Sequence, residues 1–188
     1  YDNSINRPVS EFVPIDQFYV SYYATDLRRA DRYTHILYRS PIELAKQINS
    51  GMYRDMELPE PTLPKQSAMS EKMDTVLGLT PSTEHDPQYT LLEQHCYLEI
   101  EDYDVACPYI VTIEEQSQKV LSIRRNWNEK DRTKQKKMFF THYRFVPGFG
   151  FYGLGLIHFL GNLTMSATAA MRSLIDAGQF ANLQGGFK

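Results

Sequence analysis

The chain has 188 residues, enough to bury a real core in one domain or two small ones. Its 42% hydrophobic and 23% charged residues exclude wholesale disorder, and a net charge of −3 predicts no general affinity for nucleic acid or anionic membranes. Two cysteines, Cys96 and Cys107, are too few for a disulfide scaffold, so a reducing compartment is expected. The opening YDNSINRPVSEF has neither an initiator methionine nor a signal pattern, which predicts a piece of a longer protein.

Residues 1–55 predict two strands followed by a capped helix. Apolar and aromatic residues alternate in DQFYVSYYAT, where Phe18, Val20 and Tyr22 share one face, and RYTHILYR predicts the second strand. In SPIELAKQINSG, Ser40 and Glu43 form a capping box, which predicts a helix over 41–50 that ends before Gly51.

Residues 56–88 are rich in proline and predict a long excursion or mobile loop. Within this stretch only SEKMDTVLGL favours a short helix, capped by Ser70 and ended at Gly78.

Residues 89–146 predict an antiparallel β-meander of four strands. In the first strand, Leu92, Cys96, Leu98 and Ile100 lie largely on one face. PYIVTIEE and KVLSIRRNW flank the turn QSQ, and MFFTHYRFV supplies the fourth strand.

Residues 147–188 predict a glycine-rich turn and a long helix. Apolar residues recur at steps of three and four, which indicates one broad apolar face, and Gly178 is the expected stop. No Asp, Glu, Lys or Arg lies between Phe145 and Met171, but polar side chains and glycines in that window disfavour a membrane span. The fold class predicted for the whole chain is therefore α+β, an antiparallel meander with a capped short helix and a long C-terminal helix.

The stretch PGFGFYGLG has the spacing of a dinucleotide-binding loop, since Gly148, Gly150 and Gly153 follow a predicted strand and precede a predicted helix. That fingerprint requires a parallel βαβ unit, whereas the preceding strand belongs to an antiparallel meander and Asp176 lies inside the helix. The favoured interpretation is structural, in which these glycines and Gly155 provide a tight, closely packed turn into the helix. No cofactor is expected.

The sequence offers no metal or nucleophile signature. The gaps of ten, one and eleven residues between His85, His95, Cys96 and Cys107 match no zinc-ligand spacing. In addition, the adjacent His95 and Cys96 would point to opposite faces of a strand. No nucleophile elbow or Cys/His signature occurs, so neither a metal site nor an enzyme is expected.

Basic residues are concentrated between Arg124 and Arg144, where a net charge of +6 contrasts with about −9 in the rest of the chain. Two interpretations remain open: a solvated loop, or a surface that contacts phosphates or an acidic neighbouring subunit. The candidate contact residues, around a predicted 130–137 hairpin, are Arg124, Arg125, Lys130, Arg132, Lys134, Lys136 and Lys137.

Several segments resemble portal proteins of short-tailed, double-stranded DNA bacteriophages. The most specific segment runs from FYGLGLIHFLG through LIDAG. Two further segments, HCYLEIEDYDVACPYIVTIEEQSQKVLSIRRNW and THYRFVPGFG, precede it. RYTHILYRSPIELAKQINSGMYRD looks like the wing region of those portals, and the resemblance is weakest over residues 56–88.

The resemblance implies a central fragment of a virion structural protein without catalytic residues, in which the wing leads into a stem-like helix. Such proteins form a ring, usually of twelve copies, at one capsid vertex after assembly in the host cytoplasm. DNA passes through the ring without sequence-specific recognition during packaging and ejection, and terminase, tail adaptors and the capsid protein are the other partners; no membrane is involved.

Ring formation would also account for small side chains that let neighbouring helices approach closely: Gly161, Ser166, Ala167 and Ala170. Two alternatives are another phage virion protein with a wing-like β module and, less favoured, a nucleotide-binding enzyme.

Overall fold

The computed structural model describes residues 10–63, 68–78, 86–100, 105–148 and 150–182, and the chain forms two compact units, Tyr1–Phe140 and Thr141–Lys188. The first unit contains a sheet of five antiparallel strands in sequential order. The strands are β1 (Phe18–Val20), β2 (Tyr33–Arg39), β3 (Tyr89–Leu98), β4 (Cys107–Glu114) and β5 (Val120–Arg125). Together with the helices below, this sheet confirms the α+β class and the antiparallel order of the strands, and β3 to β5 are the first three strands of the predicted meander.

The N-terminal strands belong to the same sheet as the meander, because β2 pairs along its whole length with β3. The predicted first strand is shorter than expected: β1 ends at Val20, and Tyr22 and Tyr23 are more than nine-tenths exposed in the following turn. A bond from the Ala24 N–H to the Ser21 carbonyl closes that turn, so the alternating pattern of DQFYVSYYAT continues past the end of the pairing.

Helix α1 (Pro41–Asn49) forms as predicted because its signals are local. The Ser40 hydroxyl accepts from the Glu43 N–H at 3.3 Å, and the Glu43 carboxylate accepts from the Ser40 N–H at 3.3 Å. Gly51 follows with φ of +75°, the left-handed conformation that glycine adopts without strain.

Helix α2 (Ala68–Leu77) begins three residues before Glu71, the first helical residue predicted, so Ser70 lies inside the helix and the prediction that it caps the helix was wrong. Gly78 follows with φ of +69°, in keeping with the predicted stop. An isolated antiparallel bridge between Thr62 and Gln88 joins the two sides of this excursion. Residues 64–67, 79–85 and 101–104 lie outside the described residues, and with them His85 and much of the predicted acidic turn.

One face of the sheet carries Tyr33, Leu91 and His95 and is called the core face below. A cluster of buried residues covers one part of it, with Leu44 of α1 and Tyr53 packed against Leu91 and Leu121. Phe140 covers the neighbouring part, with its ring centroid 4.9 Å from that of Phe18 and 5.8 Å from that of Tyr33.

The predicted fourth meander strand over 138–146 was wrong. Residues 138–144 contain no strand, and Val146 makes only an isolated bridge to Leu154. Phe139 and Phe140 instead approach the His95 ring with centroid distances of 6.0 and 5.5 Å. The aromatic run thus covers the face of the sheet, and burial of rings takes the place of edge pairing.

The second unit contains a loop and helix α3 (Leu156–Asn182). The predicted stop at Gly178 was wrong, because the helix passes through that residue without a left-handed turn. None of the helices in the described ranges is both long and apolar enough to cross a bilayer.

Candidate functional site

The basic segment, residues 124–137, is the first candidate site, and it is not a hairpin. After β5, the chain makes turns around Asp131, whose carboxylate accepts bonds from the Thr133 N–H at 2.9 Å, the Thr133 hydroxyl at 2.7 Å and the Gln135 N–H at 3.1 Å. These bonds, with that from the Thr133 side chain foremost, lower the pKa of Asp131. The predicted 130–137 hairpin was therefore wrong, because the Asp131 side chain holds this region in successive turns instead of paired strands.

Two of the candidate lysines contact the body of their own unit. The Lys136 ammonium donates to the Leu27 and Ala30 carbonyls at 3.0 and 2.7 Å and lies 5.8 Å from the Tyr33 ring centroid. The Lys134 ammonium lies 3.6 Å from Cys107 Sγ and 5.6 Å from the Trp127 ring centroid. Burial lowers the pKa of Lys136, against the charges of Asp31 and Asp26.

The remaining five candidates are all exposed, and two of them, Arg124 and Arg125, also contact side chains of their own unit. Arg124 donates to Glu93 at 3.2 Å, and the guanidinium of Arg125 lies 5.8 Å from the Trp127 ring centroid. Lys130, Arg132 and Lys137 are exposed. The basic segment therefore presents a narrower cationic surface than its sequence suggests, since Lys134 and Lys136 also fasten the segment to the sheet.

A polar cluster on the core face was missed by the sequence interpretation. The Glu93 carboxylate accepts from His95 Nε2 at 3.1 Å and from the Arg124 guanidinium at 3.2 Å. Burial raises the pKa of Glu93, but the hydrogen bond from His95 and the charges of His95, Arg124 and His35 outweigh it, so the net shift is downward.

Aromatic rings enclose this cluster. His95 is 3% exposed and its ring stacks on that of Tyr33 with centroids 4.6 Å apart. Burial, followed by the nearby Glu93 and Tyr97, raises the pKa of Tyr33 to about 12. Burial also lowers the pKa of His35, partly offset by Glu93 and Glu11. The adjoining cavity of about 10 Å³ accommodates a water molecule and nothing larger.

The period-two spacing could have revealed this cluster. The prediction placed Leu92, Cys96 and Leu98 on the principal apolar face of β3, but these residues are half-buried and Ile100 lies beyond the strand, half-exposed. The more deeply buried set is Leu91 and His95, with Glu93 between them.

The described cysteines and histidines are not gathered around one point. His95 and Cys96 lie on opposite faces of β3, as adjacent strand residues do, and Cys107 is buried at the start of β4. Among the residues whose structure is given, no three His, Cys, Asp or Glu side chains lie close enough together to hold a metal ion.

The glycine-rich loop is the second candidate site, and its backbone forms a closed turn. The Val146 N–H donates to the Leu154 carbonyl at 3.3 Å and the Leu154 N–H donates back at 2.9 Å. A Cβ atom at Gly153 would lie 2.8 Å from the Val146 oxygen, and one at Gly148 would lie 2.9 Å from the Tyr152 oxygen. These two positions require glycine because backbone atoms approach them so closely.

Gly150 and Gly155 have different surroundings. A Cβ at Gly150 would meet no atom within 4 Å, and one at Gly155 would make an ordinary contact of 3.8 Å with His158. The Gly155 N–H donates to His158 Nδ1 at 3.1 Å, which satisfies one of the unpaired donors at the start of α3. All paired strands of the described sheet are antiparallel and Asp176 lies within α3, so the loop lacks the parallel βαβ setting of a dinucleotide site.

We expect Gly153→Ala to open this loop and Gly150→Ala to leave it intact. The alanine at 153 would push against a backbone oxygen that is itself fixed by a hydrogen bond, at a cost of about 1.4 kcal/mol or more. The measurement is hydrogen exchange at the Leu154 amide, which should accelerate by about tenfold in Gly153→Ala. Equal exchange in the two variants would show that the close approach at Gly153 does not constrain the loop.

Helix α3 is the third candidate site, because its apolar side chains lack cover within the described chain. None of its 27 residues is buried. At 3.6 residues per turn, eight apolar residues fall within an arc of about 120°, here called the apolar stripe. The stripe consists of Leu156, Phe159, Leu160, Leu163, Ala167, Ala170, Met171 and Leu174.

The small residues singled out from the sequence do not all share that stripe. Ala167 and Ala170 lie within it and Ser166 lies at its edge, whereas Gly161 is displaced by about 140° from its centre. Arg172 and Asp176 occupy the opposite side of the helix. The helix is thus amphipathic, and three of the four small residues lie on or beside its apolar side.

Comparisons with protein-family models, with curated proteins and with solved structures find no match to this chain.

Proposed function

We propose that this chain is part of a portal subunit, in which the sheet forms the wing and α3 packs against the helices of neighbouring subunits around a DNA channel. The observation that carries the proposal is the exposure of α3. Ten large apolar side chains of this helix are exposed, and six of them belong to the apolar stripe, among them Leu163 at 66% and Leu174 at 73%. A soluble protein rarely exposes so long an apolar stripe unless another surface covers it.

Two further features support the same proposal. The sequence of α3 and of the loop before it carries the most specific resemblance to portal proteins. Ala167 and Ala170 lie on the stripe beside larger side chains, a mixture that allows neighbouring helices to approach closely while apolar area is still buried. The ring, its position at the capsid vertex and its partners (terminase, tail adaptor and capsid protein) follow from the resemblance as parts of the proposal.

The decisive experiment is electron microscopy of the full-length protein that contains these residues. We expect closed rings with a central channel, and we expect Leu163→Asp to abolish or sharply reduce them because it places a charge in the apolar stripe. Met165→Asp is the matched control: Met165 is 73% exposed but lies on the opposite side of the helix. Particles without a ring in the unmodified protein, or rings that survive Leu163→Asp while Met165→Asp removes them, would contradict the proposal.

The basic segment provides a second test, of how the ring contacts DNA or its own neighbours. Because Lys134 and Lys136 fasten the segment to the sheet, the informative variant replaces only Lys130, Arg132 and Lys137 with Gln. If these three residues contact phosphates, the slope of log affinity against log salt for duplex DNA should fall by about 2 to 3, equally for all DNA sequences.

A contact between subunits would instead reduce ring formation and leave the salt dependence of DNA binding unchanged. Unchanged assembly together with unchanged DNA binding would favour a solvated segment and remove the electrostatic role from the proposal.

A further inference from the structure

The cavity beside the polar cluster brings together polar atoms from three parts of the first unit. It is lined by Tyr33 of β2, His95 of β3, and Asn126 and Lys136 of the basic segment, with Ala30 and Asp31 beside them. Tyr33, Asn126 and His95 are 1%, 2% and 3% exposed, so each is more than nine-tenths buried. The cavity volume of about 10 Å³ matches a single water molecule.

Three of these residues have a buried polar atom without a hydrogen-bond partner among the described residues: Tyr33 Oη, His95 Nδ1 and Asn126 Oδ1. Leaving such atoms unpaired costs about 1 to 3 kcal/mol each. The three residues that carry these atoms line the same cavity, so the geometry points to a common partner inside it.

We propose that this cavity is a binding site for one structural water molecule that joins β2 and β3 to the basic segment. The surrounding groups match the two donors and two acceptors of a water molecule. Tyr33 Oη donates one hydrogen bond to the water. Lys136 donates two of its three N–H groups to the Leu27 and Ala30 carbonyls and the third to the water. The water then donates one hydrogen to Asn126 Oδ1 and the other to His95 Nδ1. This assignment uses the neutral imidazole, in which Nε2 carries the proton and donates to the Glu93 carboxylate while Nδ1 accepts.

The chemistry of the lining selects water over an ion. The Lys136 ammonium disfavours a second cation, and the acceptor atoms of Asn126 and His95 disfavour an anion. A neutral molecule that both donates and accepts is required, and the volume restricts it to the size of water.

The site has a mechanical consequence for the basic segment. The Asn126 N–H donates to the Pro108 carbonyl at 3.0 Å, and the Asn126 carbonyl accepts from the Lys137 N–H at 3.0 Å. The water extends this fixed backbone to Tyr33 and His95, so it helps to hold the segment on the core face where Phe140 covers the aromatic rings.

The direct test is a crystal structure at a resolution that shows ordered waters. We expect one density peak within hydrogen-bond distance of at least three of the four polar atoms, unchanged after a bromide soak. No peak, direct bonding between Tyr33 and Asn126, or an anomalous bromide signal at the site would overturn the proposal.

A thermodynamic cycle tests the same site in solution. Tyr33→Phe and Asn126→Leu should each lower Tm by about 2 to 6 °C, and the double variant should lose clearly less than the sum because both single variants release the same water. Tyr22→Phe is the control, because it removes the same hydroxyl group from a tyrosine that is 93% exposed, and it should leave Tm unchanged. Additive losses would overturn the shared water. The conservative Tyr33→Phe variant retains the ring stack, so it keeps the crystallographic test usable should Asn126→Leu fail to fold.

Discussion

Replacing Leu91 with alanine is expected to cost about 3 kcal/mol of the free energy of unfolding, the largest effect of any substitution considered for this chain. Leu91 is 0% exposed and packs with Leu44, Tyr53 and Leu121, which come from α1, the segment after it and β5. The cavity left by alanine would lie where these separate parts of the chain meet, so it cannot be filled by the movement of one loop. Urea denaturation followed by circular dichroism would measure the loss.

Leu92→Ala is the matched control for this prediction. Leu92 is the next residue of β3 and points to the opposite face, where it is only half-buried, so its truncation should cost at most half as much. Equal losses for the two variants would contradict the assignment of the core face.

Glu93→Gln is expected to cost about 2 kcal/mol at neutral pH, because both charge-assisted hydrogen bonds of the polar cluster become neutral ones. The hydrogen bond with His95 should account for the larger part of this loss, because His95 is only 3% exposed. Arg124 is 43% exposed, so solvent screens its ion pair with Glu93. Exposed Glu129→Gln is the control and should change stability by no more than a few tenths of a kcal/mol.

The stability difference between the parent and Glu93→Gln should depend on pH. The pKa of Glu93 is lowered in the folded chain from its ordinary 4.5, so its contribution is fully present above pH 4.5 and is lost as the pH falls through the folded value. The stabilities of the parent and of Glu93→Gln should therefore converge below pH 4.5. A constant difference across that range would show that the carboxylate does not stabilise the fold through its charge.

The parts of the fold that depend on short-range signals could be predicted from the sequence. The capping box of Ser40 and Glu43 and the left-handed Gly51 are decided within one turn of chain, and the prediction of α1 is confirmed to within a residue. Strand β2 was likewise predicted to within one residue, because turn residues bound a short run rich in β-branched and aromatic side chains.

The parts that depend on tertiary context could not be predicted. Phe139 and Phe140 have strong strand propensity, but which face of which strand their rings cover is set by His95 and Tyr33, residues distant in the chain. A helix stop at Gly178 assumes a local signal that the chain does not use. Likewise, the presence of a lysine at position 136 does not predict its partners. Its ammonium group donates to two backbone carbonyl groups that lie more than a hundred residues earlier in the chain.

For the candidate site, the sequence revealed where the basic residues and the glycines lie. It did not reveal which of them have close structural contacts and which are exposed. Gly148 and Gly153 differ from Gly150 only through backbone atoms that the loop brings back towards them. The core-face cluster was missed because Glu93 and His95 are polar, and polar residues on a strand are assigned to the solvent face until a partner such as Arg124 is known.

The order of the strands bears on how the first unit folds. Strands β4 and β5 are joined by a short turn in which the buried Glu114 carboxylate accepts from the backbone N–H groups of Gln116 and Ser117, whereas residues 40–88 separate β2 from β3. Closing the long connection costs more chain entropy than closing the short one, so β4 and β5 should pair first and β2 should join later. In pulse-labelled hydrogen exchange during refolding, amides of β4 should therefore become protected before those of β2, and α1 should gain its stable packing only when β3 and β5 are already in place.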